Sequence, residues 1–174
     1  MAKTLVLSFI ATDKPGLVDR LTATVANAGG NWLESRMAHL AEKFAGVARV
    51  SVPDAKAGEL AAALDALAGE GFHIVVEAAT DALAAGGPVL VIDFVGPDHL
   101  GILHEISHCL AERGVSVENM KTELEPAPMG GGMLFHAKGR VRMPGGLEAD
   151  ALRDALEDLA EALMVDISLE ADAG

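Results

Sequence analysis

The fold is decided by a stretch that occurs twice, as LVLSFIATDKPGLVDRLTATVANAGGNW at residues 5–32 and as LVIDFVGPDHLGILHEISHCLAERGVSV at residues 90–117. Gly101 lies 101 − 16 = 85 positions after Gly16, and at this offset several positions carry the same residue in both copies. The identical pairs are Leu5 and Leu90, Val6 and Val91, Phe9 and Phe94, Asp13 and Asp98, Gly16 and Gly101, Ala26 and Ala111, and Gly29 and Gly114. Because self-similarity at a fixed offset indicates a repeated structural unit, the chain is predicted to contain two copies of one small domain.

Each copy is predicted to begin with a strand, a turn and a helix. Residues 4–11 are short and rich in Val, Leu, Ile and Phe, which favours a buried strand. Leu17, Leu21 and Val25 then recur at every fourth position, which is helical spacing.

The ends of these helices carry recognisable capping residues. Asp13 and Asp98 precede the two helices, and their carboxylates could accept hydrogen bonds from the free N–H groups of the first turn. Gly29 and Gly114 stand where the glycine that terminates a helix is expected. A strand, a capped turn and a helix are therefore predicted twice.

The remaining segments complete a βαββαβ order in each copy. In the first copy the predicted elements are strands at 32–40 and 44–52, a helix through 60–67 and a strand at 72–78. In the second they are strands at 115–125 and 133–143, a helix through 152–163 and a strand at 165–170. By Ile74 and Ile167 the offset has grown to 93, and the extra residues are expected in the hairpin Pro126–Gly132.

This order predicts an α+β fold of two tandem ferredoxin-like domains, each an antiparallel sheet with helices on one face. The expected domains are residues 1–80 and 88–174, joined by a linker at 81–87 with the boundary near Gly86.

Composition narrows the function classes for this chain of 174 residues. A formal net charge of −13 argues against broad contact with nucleic acid, because phosphate binding requires clustered Lys and Arg. No apolar run approaches the roughly 20 residues needed to cross a bilayer, so no membrane span is expected. The single Cys109 cannot form an internal disulfide, and the N-terminus lacks the pattern of a signal peptide. The expected compartment is the cytoplasm.

The repeated motif resembles the ACT domain, a small ligand-binding regulatory fold. The residues that carry the resemblance are Asp13-Lys-Pro-Gly16-Leu17 with Gly29-Gly-Asn31-Trp32, and Asp98-His-Leu-Gly101-Ile102 with Gly114-Val-Ser116-Val117. Two such domains fill nearly the whole chain. Together with NWLESRMA at residues 31–38, they resemble the glycine cleavage system transcriptional repressor family.

The resemblance implies that a small ligand, often an amino acid, binds where the first loop meets the start of the second strand of a neighbouring domain. The expected ligand-binding residues are Asp13, Lys14, Pro15, Gly16, Leu17 and Asn31 in the first copy, and Asp98, Gly101, Ile102 and Ser116 in the second. Free N–H groups and the positive end of the helix dipole would attract a carboxylate at the helix start. The second copy has Ser116 in place of Asn31 and Leu100 in place of Pro15, so the first copy is the better candidate.

The resemblance also implies a non-enzymatic regulator that binds a protein partner such as a transcription factor in response to an amino acid such as glycine, without touching DNA itself. The acidic charge agrees with this arrangement. A homodimer is expected because unpaired sheet edges invite pairing, although tandem domains could instead pair within the chain. No cofactor is expected.

Two plainer hypotheses stay open. Asp13 and Asp98 could serve only as helix caps, Gly16 and Gly101 could serve only tight helix–strand packing, and Asn31 could simply begin a strand. The chain could also be an interaction module that binds no small ligand.

An enzyme hypothesis rests on His104-Glu105-Ile106-Ser107-His108, which fits the H-E-x-x-H pattern of zinc hydrolases. Against it, no third ligand is evident in the sequence, and the first copy has Asp19, Arg20 and Ala23 at the equivalent positions. The predicted buried face of this helix consists of Leu103, Ile106 and Leu110. His104 and His108 are therefore expected on its flank as solvated residues, with no metal bound.

Overall fold

Each unit that begins with a copy of the repeated stretch forms a four-stranded antiparallel sheet with two helices on one face. The computed structural model describes residues 1–79 and 86–174. The chain divides into two units, Met1–Ala82 and Leu83–Gly174. Most of the predicted linker at 81–87 lies outside the described residues, which resume at Gly86.

In the first unit the sheet order is β2-β3-β1-β4, with every neighbouring pair antiparallel. Its elements are β1 (Ala2–Thr12), α1 (Leu17–Asn27), β2 (Asn31–Leu40), β3 (Lys43–Pro53), α2 (Ala57–Asp65) and β4 (His73–Ala78). Short 3₁₀ turns at Asp54–Lys56 and Ala66–Glu70 flank α2.

The second unit repeats this topology with the order β6-β7-β5-β8. Its elements are β5 (Val89–Pro97), α3 (Ile102–Glu112), β6 (Ser116–Pro126), β7 (Met133–Arg142), α4 (Ala149–Leu163) and β8 (Asp166–Ala171). The predicted fold class, tandem ferredoxin-like βαββαβ units of the α+β type, is confirmed.

Alternation along the first strand of each unit directs one set of side chains into the core. Leu5, Leu7, Phe9 and Ala11 of β1 are buried beneath the helices, and Leu90, Ile92 and Phe94 of β5 take the same role. Burying each of the Leu, Ile and Phe side chains among these contributes about 1.5–3 kcal/mol of transfer free energy. Each unit therefore has its own hydrophobic cluster.

The buried stripe of the third helix differs from the prediction at one position. α3 buries Ile102, Ile106, Cys109 and Leu110, whereas Leu103 is 38% exposed. In the first unit Leu17, Leu21, Thr24 and Val25 of α1 occupy the same four positions of the stripe. The repeat thus selects a stripe with i, i+4, i+7 and i+8 spacing, and the prediction that Leu103 is buried was wrong.

The predicted glycine ends of the first helix in each unit are confirmed. Gly29 has φ +72°, its N–H donates to Ala26 O at 2.8 Å, and the N–H of Gly30 donates to Val25 O at 2.9 Å. This pair of bonds is the Schellman arrangement, in which a residue in the left-handed region satisfies the last carbonyls of a helix. Gly114 ends α3 in the same way, with φ +69°.

The eight extra residues of the second copy are divided between two places. Thr12 pairs with Lys43 and Pro97 pairs with Leu134, so by the third strand the offset is already 134 − 43 = 91. Six extra residues therefore lie in the β6–β7 hairpin, as predicted, and the last two lie between β7 and β8.

None of the helices described within residues 1–79 and 86–174 combines the length and apolar character required to cross a bilayer.

Candidate functional site

The loop between β1 and α1, residues 13–16, enters the helix through a glycine in the left-handed region. Gly16 has φ +89° and ψ 1°, a conformation that side chains other than Gly rarely adopt. A Cβ placed on Gly16 would meet no atom within 4 Å. Gly16 is therefore required by its backbone conformation, and tight helix–strand packing, one of the plainer hypotheses, does not explain it. The space beside it is open to a ligand.

Asp13 does not cap α1. Within the described residues no side chain accepts a hydrogen bond from the N–H groups of the first turn of α1, and the helix begins with the Arg20 N–H donating to Gly16 O at 2.9 Å. The N–H of Asp13 instead donates to Glu42 O at 2.9 Å, and its carboxylate lies 3.6 Å from His39 Nε2. The expectation that Asp13 serves as an N-cap was wrong, because the left-handed turn at Gly16 separates the aspartate from the helix start.

The other expected loop residues differ in what they offer to a ligand. Leu17 is only 4% exposed, so its side chain belongs to the core and only its backbone remains available. Lys14 and Pro15 are exposed, and the Lys14 ammonium lies 3.5 Å from the carbonyl oxygen of Glu70. The loop therefore presents an uncapped helix start, one exposed carboxylate and one exposed ammonium.

Arg20 of α1 forms an ion pair with Glu70, the residue whose carbonyl oxygen lies near Lys14 of the loop. The Arg20 guanidinium donates to both carboxylate oxygens of Glu70, at 2.6 Å from Nη2 and 2.9 Å from Nε. The hydrogen bond from Arg20 holds the pKa of the Glu70 carboxyl below its ordinary value, and the same bond raises the pKa of Arg20. Because Arg20 is already paired with Glu70, Lys14 is the cationic side chain that the loop itself supplies.

Asn31 lies at the other end of the sheet from this loop. It is the first residue of β2 and faces Ser51, which in turn pairs with Thr4 near the start of β1. The loop follows Thr12, eight residues further along β1, which corresponds to about 27 Å at 3.4 Å per residue. The first unit by itself does not bring Asn31 to Asp13 and Gly16.

The second unit repeats the loop with different surroundings. Gly101 has φ +87° and open space around its Cβ position, and the N–H of Asp98 donates to Met133 O at 2.9 Å. Among the residues that the structure describes no side chain caps α3, so Asp98 is not an N-cap either. The N–H of Ile102 donates to His99 O at 3.3 Å, and the Ile102 side chain is buried. Ser116 begins β6 opposite Arg142, again at the far end of the sheet.

The H-E-x-x-H segment lies on α3, where it was predicted to be helical. The rings of His104 and His108 stack with centroids 5.9 Å apart, and His108 Nε2 lies 3.4 Å from Glu112 Oε1. In the described part of the chain no third side chain joins these two histidines in a group able to hold a metal ion. The structure therefore does not assemble the zinc site that the enzyme hypothesis requires.

Sequence reasoning missed a polar cluster on the open face of the second sheet, formed by Glu123 and Glu125 of β6 and His136 of β7. One ligand atom from each lies within 4.8 Å of the other two. The signal was present in the sequence, because Glu123 and Glu125 stand two residues apart and so share a face of a strand. Only the strand register, in which Glu123 pairs with His136, completes the group.

A depression of about 720 Å³ in the first unit is lined by none of the loop residues 13–16. Its lining comes from the middle of the sheet and the end of α2, and includes Ser8, Ile10, Arg36, Val47, Leu64 and His73. None of the residues expected to bind the ligand belongs to it.

Comparison with known proteins identifies a matching family model and two similar structures. The family model of the ACT domain matches residues 3–77. A structure of an unknown protein from Galdieria sulphuraria is 32% identical in sequence, with a TM-score of 0.88 over 99% of this chain and 100% of that one. A structure of a candidate glycine cleavage system transcriptional repressor is 20% identical, with a TM-score of 0.72 over 98% of this chain and 97% of that one. No curated protein matches the sequence significantly.

Two ferredoxin-like units with the same loop geometry, the first matched by the ACT model, define the class as a tandem ACT-domain protein. The chain belongs to the ACT-domain family, in the two-domain form that it shares with the Galdieria protein.

Proposed function

We propose that this tandem ACT-domain protein senses an amino acid and regulates a protein partner such as a transcription factor, in the cytoplasm and without catalytic activity of its own. One observation carries the proposal. Gly16 opens the start of α1 to a ligand while no side chain of residues 1–79 or 86–174 caps the helix, and the exposed carboxylate of Asp13 stands three residues before Gly16.

An amino acid is a zwitterion, and the loop offers a partner for each of its charges. The uncapped N-terminus of α1 carries free N–H groups and the positive end of the helix dipole, which suit a carboxylate. The carboxylate of Asp13 suits an ammonium, since its ion-pairing neighbour in the described part of the chain is His39 Nε2 at 3.6 Å, longer than a hydrogen bond. The missing Cβ of Gly16 lets a small ligand such as glycine approach the backbone.

We further propose that Asn31 acts on a ligand held by the loop of a neighbouring ACT domain, as the family resemblance implies. The loop of its own unit is about 27 Å away at 3.4 Å per strand residue, out of reach of its side chain. Asn31 is exposed at the start of β2, so its amide can offer both a donor and an acceptor.

The sensing proposal is tested by calorimetric titration of the full chain with a panel of amino acids that includes glycine. Asp13→Asn keeps the shape of the side chain and removes its charge, and Asp98→Asn makes the same change in the second unit. We expect Asp13→Asn to weaken binding by about ten- to a hundredfold, since a hydrogen bond to a charged group contributes about 1.5–3 kcal/mol. Asp98→Asn should leave the first site intact.

If none of the amino acids gives a heat of binding at millimolar concentration, the result would favour an interaction module that binds no small ligand. Asn31→Ser, which installs the residue of the second copy, should weaken binding without altering the loop. The regulatory step is tested by copurification of the partner protein with the wild type and with Asp13→Asn. An interaction that responds to the amino acid only in the wild type supports coupling between the two sites, because the ligand must bind the two states unequally.

A further inference from the structure

Three side chains of types that can bind a metal ion lie close together on the open face of the second sheet, on the side away from the helices. Glu123 and Glu125 lie two residues apart on β6, and His136 lies on β7 directly opposite Glu123. One ligand atom from each side chain lies within 4.8 Å of the other two. The three could therefore bind a single ion after small rotations of exposed side chains.

The histidine of this group is held by a fourth residue from a different strand. His136 Nε2 lies 2.9 Å from Asp93 Oδ1 on β5, and both side chains are only about one third exposed. When the ring is neutral, this hydrogen bond places the proton on Nε2, which then donates to the carboxylate. Nδ1 is left as the nitrogen with a free electron pair. A carboxylate that holds the other ring nitrogen is the usual outer partner of a metal-binding histidine.

The fold does not require these polar groups. With the β2–β6 offset of 85 and the β3–β7 offset of 91, the equivalent residues of the first unit are Ala38, Leu40 and Ala45. The same sheet position is thus apolar in one copy and holds two carboxylates and an imidazole in the other. The cluster is a property of the second unit alone.

The local charge balance favours a cation. Asp93, Glu123 and Glu125 place three carboxylates in the neighbourhood of His136. Lys121 Nζ lies 2.5 Å from Glu123 Oε1, and Lys138 Nζ lies 3.5 Å from Asp93 Oδ2, so these two ammonium groups offset only part of the negative charge. Glu125 has no ion pair in the described part of the chain. A divalent ion would replace Lys121 at Glu123 and bring Glu125 into the same shell.

We propose that Glu123, Glu125 and His136 bind a divalent transition-metal ion of the Zn²⁺ type, with Asp93 as the residue that orients His136. One imidazole nitrogen and two carboxylate oxygens suit such an ion better than the all-oxygen sets of Ca²⁺ or Mg²⁺. Three protein ligands leave at least one position for water or for a small ligand. This site shares no residue with the β1–α1 and β5–α3 loops proposed to bind an amino acid, or with the histidine pair on α3.

The test uses the full chain, without a histidine tag and freed of metal by a chelator. Zn²⁺ is added, and binding is followed by calorimetry and by the metal content of the protein after dialysis. We expect about one Zn²⁺ per chain in the wild type, with a rise in thermal stability because the ion binds the folded state. His136→Ala and the pair Glu123→Gln with Glu125→Gln should abolish the stoichiometric ion. Asp93→Asn should weaken binding about 10- to 100-fold without abolishing it.

The double variant His104→Ala with His108→Ala is the matched control, because it removes the other exposed histidine pair of the second unit. It should keep the ion with unchanged affinity. Circular dichroism of every variant shows that the fold is retained, and the imidazole nitrogen shifts of His136 in NMR spectra should report coordination through Nδ1. A wild type that takes up no Zn²⁺, or an ion that depends on His104 and His108 and survives His136→Ala, overturns the proposal.

Discussion

The backbone N–H of Asp13 donates a 2.9 Å hydrogen bond to the carbonyl oxygen of Glu42, which connects the β1–α1 loop to the β2–β3 hairpin. Ala41 and Glu42 form the two-residue turn of that hairpin, with φ of 46° and 63°. Such short turns need positive φ at both positions, where Asn and Gly are favoured. The loop therefore rests on a strained turn, and strain of this kind is concentrated near functional sites.

Replacing Ala41-Glu42 by Asn-Gly should stabilise the chain. The left-handed conformation costs an ordinary residue about 1–2 kcal/mol, so we expect the free energy of unfolding to rise by about that amount or more. Urea denaturation followed by circular dichroism measures the change. Glu42→Gln is the control, since it removes the charge and keeps the strain, and should change stability by less than about 0.5 kcal/mol. A double variant no more stable than Glu42→Gln would show that the turn is not strained.

The ends of the second helices offer a reciprocal pair of tests. Gly71 ends the first unit's helical segment with φ +93°, whereas Met164 holds the equivalent position in the second unit with φ +54°. Val165 N–H donates to Ala160 O and Phe72 N–H to Leu67 O, so the two ends share one geometry. Met164→Gly should raise the free energy of unfolding by about 1 kcal/mol, and Gly71→Ala should lower it by about the same amount.

Differences in side-chain packing contribute little to the expected effects of Met164→Gly and Gly71→Ala. Met164 is 80% exposed, so its removal loses little burial, and a Cβ on Gly71 would meet no atom within 4 Å. Thermal unfolding of the four combinations would show whether the two effects are independent. If Met164→Gly destabilises the chain, the side chain makes a contact that outweighs its backbone conformation.

Most of the fold could be predicted from the sequence because it is specified twice. The strand and helix patterns of the two copies support each other, and Gly29 and Gly114 end their helices as expected. The error at Leu103 could have been avoided by the same comparison. Its counterpart Val18 is also 38% exposed, and Leu17, Leu21 and Val25 already defined the correct stripe in the first copy.

The candidate site was less accessible to sequence reasoning, because it depends on backbone conformation and on strand register. An aspartate before a helix predicts a cap, yet the left-handed glycine at position 16 moves Asp13 away from the first turn. Glu123 and His136 are 13 residues apart in the chain and meet only through the register of β6 with β7. That register depends on the length of the hairpin between them, which side-chain patterns alone do not determine.

The Arg20–Glu70 pair gives the first unit a pH dependence whose sign follows from the structure. The hydrogen bond from Arg20 lowers the pKa of Glu70 from its ordinary value of 4.5, so the unfolded chain binds this proton more readily than the folded one. The stabilising contribution of the ion pair is therefore fully present above the unfolded pKa and is lost as the pH falls through the lower pKa of the folded state.

A double-mutant cycle of Arg20→Gln and Glu70→Gln isolates the coupling free energy of this ion pair. We expect a coupling free energy that is constant at neutral pH, declines below pH 4.5 and disappears once Glu70 is protonated in both states. Because both side chains are exposed, added salt should reduce the coupling at neutral pH as well. A coupling that persists unchanged in strong acid would mean that contacts other than the charge of Glu70 hold the pair together.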